Sequence, residues 1–289
     1  GLAIATEMPI VLINVQRGGP STGLPTKTEQ SDLNQAMYGR NGEAPLVVLA
    51  AATPSDCFNM AYESCRIALK YMIPVILLSD GYIANGSEPW KIPNLNSLND
   101  IETTLTKNKN GYSPFNHDPL TLARPWALPG TPGLEHRVGG LEKSDVTGHV
   151  NYDPENHHKM VELRQRKVDI ISKNIPKATT FGQPQGDLLV IGWGGTHGAI
   201  RSAVESAQEL GQSVSHLHLR YLNPLPSNLG DILVKFHKIL IPELNLGQLC
   251  MIIRSKFLVD AISLSKVQGK PLNKNDILSE INTILKGIN

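Results

Sequence analysis

Pro9–Asp32 reads PIVLINVQRGGPSTGLPTKTEQSD. Its opening run, Pro9–Val15, is almost unbroken apolar, the pattern of a strand buried on both faces of a parallel sheet. The chain then turns at once into a loop with paired glycines at Gly18 and Gly19, one guanidinium at Arg17, and hydroxyls at Ser21, Thr22 and Thr26. Ligands of open parallel sheets sit beyond the carboxyl ends of strands, which makes this loop a candidate site. Glycines let backbone approach a ligand closely. An arginine presents a planar fork matched to a carboxylate or phosphate. This mix suits a small anion; a tight turn with an incidental arginine at a domain interface is the competing reading, and the residues alone leave both open.

Working outward, Thr28–Tyr38 is expected to be a helix and Pro45–Ala51 a second buried strand. Thr53–Asp56 opens a helix running to about Tyr71, with Thr or Ser available as its cap. Pro74–Ser79 is a third strand, ending in the turn Asp80–Gly81. A β-α-β-α-β order implies a parallel sheet with right-handed crossovers. Regular patterning then breaks down from Glu88 to Phe181, apart from one clear helix at Pro154–Asn174. Aromatic and apolar residues spread through this stretch favour an ordered connector over a disordered linker. Beyond it the α/β pattern resumes. Asp187–Gly192, Val214–Leu219 and Lys238–Pro242 read as strands; Thr196–Leu210, Gly247–Arg254 and Lys274–Lys286 read as helices. The expected fold class is therefore α/β, in three segments: 1–90, 91–174 and 175–289.

Composition narrows the function. A net charge of +1 over 289 residues gives no footprint for nucleic acid or an anionic membrane surface. With 40% hydrophobic residues the chain can build cores. Only 18% are charged, which points to a surface partly covered by another chain. No run approaches the ~18 unbroken apolar residues of a membrane span, and no signal peptide is visible. Gly1–Met8 reads as the tail of a helix whose start lies upstream. Cys57, Cys65 and Cys250 contain no Cys-x-x-Cys and cannot by themselves hold a four-cysteine cluster or a structural zinc. Buried, reduced thiols in the cytoplasm are expected.

Other motifs are weaker. Gly192–Gly198, GWGGTHG, is a second glycine-rich turn but lacks the lysine of a P-loop; a tight turn that lets a helix pack on a strand is the simpler reading. His157 and His158 are neighbours and chelate poorly on a helix. His216 and His218 share one strand face with no evident third ligand. No metal site and no Ser nucleophile elbow is expected.

The arginine loop, RGGPSTGLPT followed by Q-SDL, resembles the alpha subunit of 2-oxoacid:ferredoxin oxidoreductases, of the 2-oxoglutarate type. Segments 129–143 (PGTPGLEHRVGGLEK), 153–167 (DPENHHKMVELRQRK), 189–200 (LVIGWGGTHGAI), 222–226 (LNPLP) and 242–249 (PELNLGQL) are similar to that subunit in the same order. The resemblance covers nearly the whole chain. It implies that residues 1–90 are the second half of a pyrimidine-binding domain, 91–174 a connector, and 175–289 a transketolase C-terminal-like domain. The motif of the pyrimidine domain's first half, with the glutamate that activates the cofactor, is not in this sequence.

By that resemblance the chemistry is oxidative decarboxylation of a 2-oxoacid to an acyl-coenzyme A, with electrons passed to ferredoxin. Arg17 would clamp the substrate carboxylate and Thr22 would hydrogen-bond the substrate, with Gly18, Gly19 and Ser21 supporting the loop; no catalytic residue is assigned. Thiamine diphosphate would be shared with a partner chain. Gly186–Asp187 and Gly230–Asp231 are each followed by an apolar residue, unlike the Gly-Asp-Gly of a diphosphate–magnesium half-site. Magnesium, iron–sulfur clusters and the diphosphate half-site would thus lie on partners, among them a beta subunit. A homo-oligomer, inactive by itself, is expected. Two alternatives stand beside this one: a non-catalytic assembly module, and a transketolase-like thiamine enzyme with no iron–sulfur partner.

Overall fold

The computed structural model describes residues 1–103 and 105–287; residue 104 and residues 288–289, inside the second and third expected segments, lie outside the described residues. Helix α1 (Leu2–Thr6) leads into β1 (Val11–Gln16), α2 (Leu33–Tyr38), β2 (Val47–Ala50), α3 (Asp56–Tyr71), β3 (Val75–Asp80) and the short α4 (Gly81–Asn85). The middle of the chain holds two-residue strands β4 (Leu105–Thr106) and β5 (Trp126–Ala127), then the long α5 (Pro154–Asn174). Next come β6 (Thr180–Phe181), β7 (Gly186–Trp193), α6 (His197–Glu209), β8 (Val214–Leu219), β9 (Tyr221–Asn223) and α7 (Leu229–Leu233). The last elements are β10 (Phe236–Glu243), α8 (Gln248–Phe257), β11 (Ala261–Ser265) and α9 (Lys274–Lys286).

Two sheets carry the fold. The first runs β1-β3-β2-β9 and the second β11-β10-β7-β8-β6. Within the first, β1, β3 and β2 are parallel; β9 returns to pair antiparallel with β2 at Val48↔Asn223 and Leu49↔Tyr221. The third segment of sequence therefore contributes a strand to the first sheet. A shared core fills the space between the sheets, with Val48, Ala50 and Leu78 facing Leu189, Ile191 and Trp193. Helices α3 and α5 cover the outer face of the first sheet through Met60, Ile67, Val168 and Ile171. On the far face of the second sheet, α6 and α9 pack Ile200, Val204, Ile277 and Ile281 against Leu188 and Val190. Each such aliphatic side chain, fully buried, contributes about 1.5–3 kcal/mol. Mixed α/β architecture with parallel sheets is as expected.

Three local expectations are corrected. β1 is the edge of its sheet, and Leu12, Ile13 and Val15 are 54, 62 and 50% exposed rather than buried on both faces. An apolar run reports that a strand is meant to be covered, not which chain covers it. The helix expected over Thr28–Tyr38 begins only at Leu33, because residues 28–32 spend their backbone and side-chain groups on tertiary hydrogen bonds. Strand β11, which no sequence expectation covers, sets Ala261 into the core between the sheets and Ile262 and Leu264 against the far-face cluster.

The irregular connector is ordered by buried charge. Glu7 and Lys167 form an ion pair at 3 and 2% side-chain exposure, and His117 Nε2 lies 2.9 Å from Glu7 Oε1. Arg124, also buried, donates from Nε to the Thr6 carbonyl at 2.9 Å. Burial pushes the Glu7 carboxyl upward, but Lys167 and His117 outweigh it and hold it at about 2. Helix α1, the connector and α5 are thereby joined at one point.

Candidate functional site

β1 ends at Gln16, and Arg17 is the first residue of a loop that closes on itself. Gly18 N donates to the Lys27 carbonyl at 2.8 Å, and Leu24 N donates to the Gly18 carbonyl at 3.0 Å. A Cβ at Gly18 would stand 2.9 Å from Leu24 Cβ, so glycine is required there by the loop's own closure. Arg17 Nη1 donates to the carbonyls of Thr22 (2.7 Å) and Gly18 (3.1 Å), and Nη2 to that of Ser21 (2.9 Å). Of the five N–H groups of a guanidinium, the Nε one and one on Nη2 have no acceptor among the described residues.

Arg17, Gly19 and Ser21 line an open cavity of about 520 Å3 at the carboxyl end of β1. Gly18 and Thr22 do not line it: Gly18 is buried under Leu24, and Thr22 meets Arg17 through its carbonyl. Across the cavity stand Asn14, Glu29 and Asp32, none of them singled out from the sequence. Asn14 Nδ2 donates to Asp32 Oδ2 at 3.1 Å, and Asp32 N donates to Gln16 Oε1 at 3.0 Å. One guanidinium thus faces two carboxylates, and the cavity by itself carries excess negative charge.

Beneath the loop, Asp80 at the end of β3 is 1% exposed. Its Oδ1 accepts from the Thr28 hydroxyl (3.0 Å) and from the amides of Tyr82 (2.9 Å) and Ile83 (3.1 Å); its Oδ2 accepts from Gly195 N at 2.8 Å. This explains the glycine-rich turn at Gly192–Gly198. A Cβ on Gly195 would lie 2.6 Å from Asp80 Oδ2, so the glycine exists for the approach of a carboxylate from the first sheet. The turn serves packing between the sheets.

The fold also brings His197 to His216 and His218, with ring centroids 4.8–5.6 Å apart. No sequence spacing signals this trio, because the third ring arrives from another element. Burial, then His197 and Arg201 nearby, push the His216 pKa down to about 3. Among the described residues, His216 Nε2 and both nitrogens of His218 have no hydrogen-bond partner. Even so, among the described residues no group of three or more His, Cys, Asp or Glu is arranged to hold a metal ion. No described helix is long and apolar enough to cross a membrane.

A two-sheet α/β chain with an arginine-lined cavity at the carboxyl end of a parallel strand carries its candidate ligand site where open parallel sheets bind ligands. Residues 1–153 match the family described as pyruvate flavodoxin/ferredoxin oxidoreductase, thiamine diphosphate-binding, and the chain belongs to that family. It is 53% identical to the 2-oxoglutarate oxidoreductase subunit KorA of Mycobacterium tuberculosis, over 99% of this chain and 44% of that protein. It is 30% identical to subunit alpha of 2-oxoacid:ferredoxin oxidoreductase 1 of Aeropyrum pernix, over 99% of this chain and 46% of that one. Among solved structures it matches the 2-oxoglutarate:ferredoxin oxidoreductase of Magnetococcus marinus, which was solved with 2-oxoglutarate, coenzyme A and succinyl-CoA bound. There the TM-score is 0.92 and the identity 32%, covering 99% of this chain and 50% of that chain. The chain spans about half the length of each of these three proteins.

The residues present fit thiamine diphosphate in part. The cavity beside Arg17 offers carboxylate, amide and hydroxyl groups that could meet the polar edge of an aminopyrimidine.

Proposed function

We propose that this chain is part of the alpha subunit of a thiamine diphosphate-dependent oxidoreductase acting on 2-oxoglutarate. The overall reaction takes 2-oxoglutarate, coenzyme A and two oxidised ferredoxins to succinyl-coenzyme A, carbon dioxide, two reduced ferredoxins and a proton. The observation that carries the reading is Arg17, lining the cavity with two N–H groups its own loop leaves free. Those groups would grip the carboxylate next to the oxo carbon, a charge-assisted bond worth roughly 1.5–3 kcal/mol. Thr22, outside the lining, contributes in this proposal by orienting Nη1 through its carbonyl. Thiamine diphosphate, when bound, supplies a nucleophilic carbon and an electron sink.

One guanidinium against Glu29 and Asp32 cannot satisfy a dianion. We therefore assign the second substrate carboxylate, the cofactor diphosphate with its magnesium, and the iron–sulfur clusters to partner chains, a beta subunit among them. Residues 1–90 would complete a pyrimidine-binding domain, 91–174 connect, and 175–289 form a transketolase C-terminal-like domain. The exposed Leu12, Ile13 and Val15 of edge strand β1 support an edge covered by another chain; the proposal places the assembly in the cytoplasm with more than one copy of this chain. The test is oxoacid-dependent dye reduction by the longer protein with its partners. The reading expects activity that requires 2-oxoglutarate, thiamine diphosphate and coenzyme A; turnover without any of the three contradicts it.

A further inference from the structure

Gln30 is wholly buried, does not line the arginine cavity, and joins the arginine loop to the second sheet by four hydrogen bonds. Its Nε2 donates to the Trp193 carbonyl at 2.7 Å, and its Oε1 accepts from Leu244 N at 2.9 Å. Its backbone N donates to the Leu244 carbonyl at 3.2 Å, and its carbonyl accepts from Asn245 Nδ2 at 2.8 Å. A second amide repeats the pattern one step along: Gln248 Nε2 donates to the Ser31 carbonyl and Gln248 Oε1 accepts from Asn34 N, both at 2.9 Å.

Ser31 carries this anchorage to the site, because its Oγ donates to the Arg17 carbonyl at 3.1 Å. The path is therefore short and continuous. The turn after β7 and the start of the loop after β10 fix Gln30, Gln30 fixes Ser31, and Ser31 holds the backbone of Arg17. The end of this path is itself stiff. Trp193 Nε1 and Asn245 Nδ2 both donate to Glu243 Oε1, at 3.1 and 3.0 Å, and the amides of Leu249 and Cys250 donate to the same buried carboxylate. Burial raises the pKa of that carboxylate, a tendency its four donors oppose.

We propose that Gln30 is a positioning residue for substrate binding, setting the location of Arg17 from the second sheet without touching the substrate. This rests on the reading of Arg17 given above. A displacement of a binding group by about 1 Å can cost on the order of a hundredfold. A buried, doubly bonded amide behind the loop is what a site of that tolerance needs.

The experiment is a double-mutant cycle on the assembled enzyme. Gln30→Met removes both side-chain bonds at similar length. It is expected to raise KM for 2-oxoglutarate about tenfold or more, with kcat and the KM for coenzyme A changed far less. Placed on an Arg17→Ala background, the same substitution should raise KM by less than about twofold, because it acts through Arg17. An equal rise in both backgrounds, or no rise in either, overturns the proposal. Should Arg17→Ala alone leave KM unchanged, the substrate reading fails and the positioning claim with it. If Gln30→Met does not assemble, Gln248→Met enters the same cycle with the same two outcomes. Amide hydrogen exchange adds a second readout: residues 17–28 should exchange faster in Gln30→Met while α9 is unchanged, and a rise spread evenly over the chain contradicts the proposal.

Discussion

Asp80 Oδ2 accepts from the backbone amide of Gly195 at 2.8 Å, so a carboxylate at the end of a strand in one sheet caps the turn that leaves the central strand of the other. Its other oxygen holds Thr28, at the far end of the arginine loop. The two sheets and the candidate site thus share one buried acceptor. Gly195→Ala would place a methyl 2.6 Å from Asp80 Oδ2 and force the contact apart. We predict a loss of about 1–3 kcal/mol, the usual cost of overpacking a tight site. Denaturant titration of the two proteins checks this, and an unchanged midpoint counts against the role given to the glycine turn.

Glu7 and Lys167 are both almost fully buried, and removing one charge strands the other. Glu7→Gln is predicted to destabilise by about 3–5 kcal/mol, with Lys167→Met in the same background recovering part of the loss. Equal stability of wild type and Glu7→Gln in urea would show that the connector is held by other contacts. The pH sign follows from the held carboxyl. Its pKa is about 2 folded and higher unfolded, so its contribution is whole above the ordinary carboxylate range and is lost as pH falls toward 2.

His216 gives a second acid window, at higher pH. Its folded pKa is about 3, against about 6.5 for a free imidazole. The unfolded chain therefore takes up the proton first. Stability is full above about pH 6.5 and erodes below it, by up to about 1.4 kcal/mol per pH unit for one ring. His216→Phe should flatten the dependence of the unfolding midpoint between pH 6.5 and 5. A variant with the wild-type slope would mean that this ring is protonated in the folded protein.

The order of elements was legible because period and apolar runs are local. The site was legible only where one stretch of chain builds it. Arg17 stands out as the lone arginine of a glycine-rich turn, and Pro154–Asn174 begins and ends as expected, its N-cap Asp153 accepting from Asn156 N. The rest depends on residues far apart in sequence. Gln30 reads as an ordinary polar residue until Trp193 and Leu244 are placed beside it. The purpose of Gly195 is visible only once Asp80 arrives, and the histidine trio needs a helix start and a strand together. β1 misled in another way: its apolar sequence expresses a burial that this stretch of chain does not itself supply. Glu29 and Asp32 fell inside an expected helix, which hid the negative side of the cavity.

The central claim is that Arg17 binds the substrate carboxylate, and one measurement meets it directly: the KM for 2-oxoglutarate of the assembled enzyme carrying Arg17→Ala. Loss of a charge-assisted bond of roughly 1.5–3 kcal/mol predicts a rise of about 10- to 150-fold, with thiamine diphosphate still bound. A folded, cofactor-loaded variant whose KM equals that of the wild type would contradict the account.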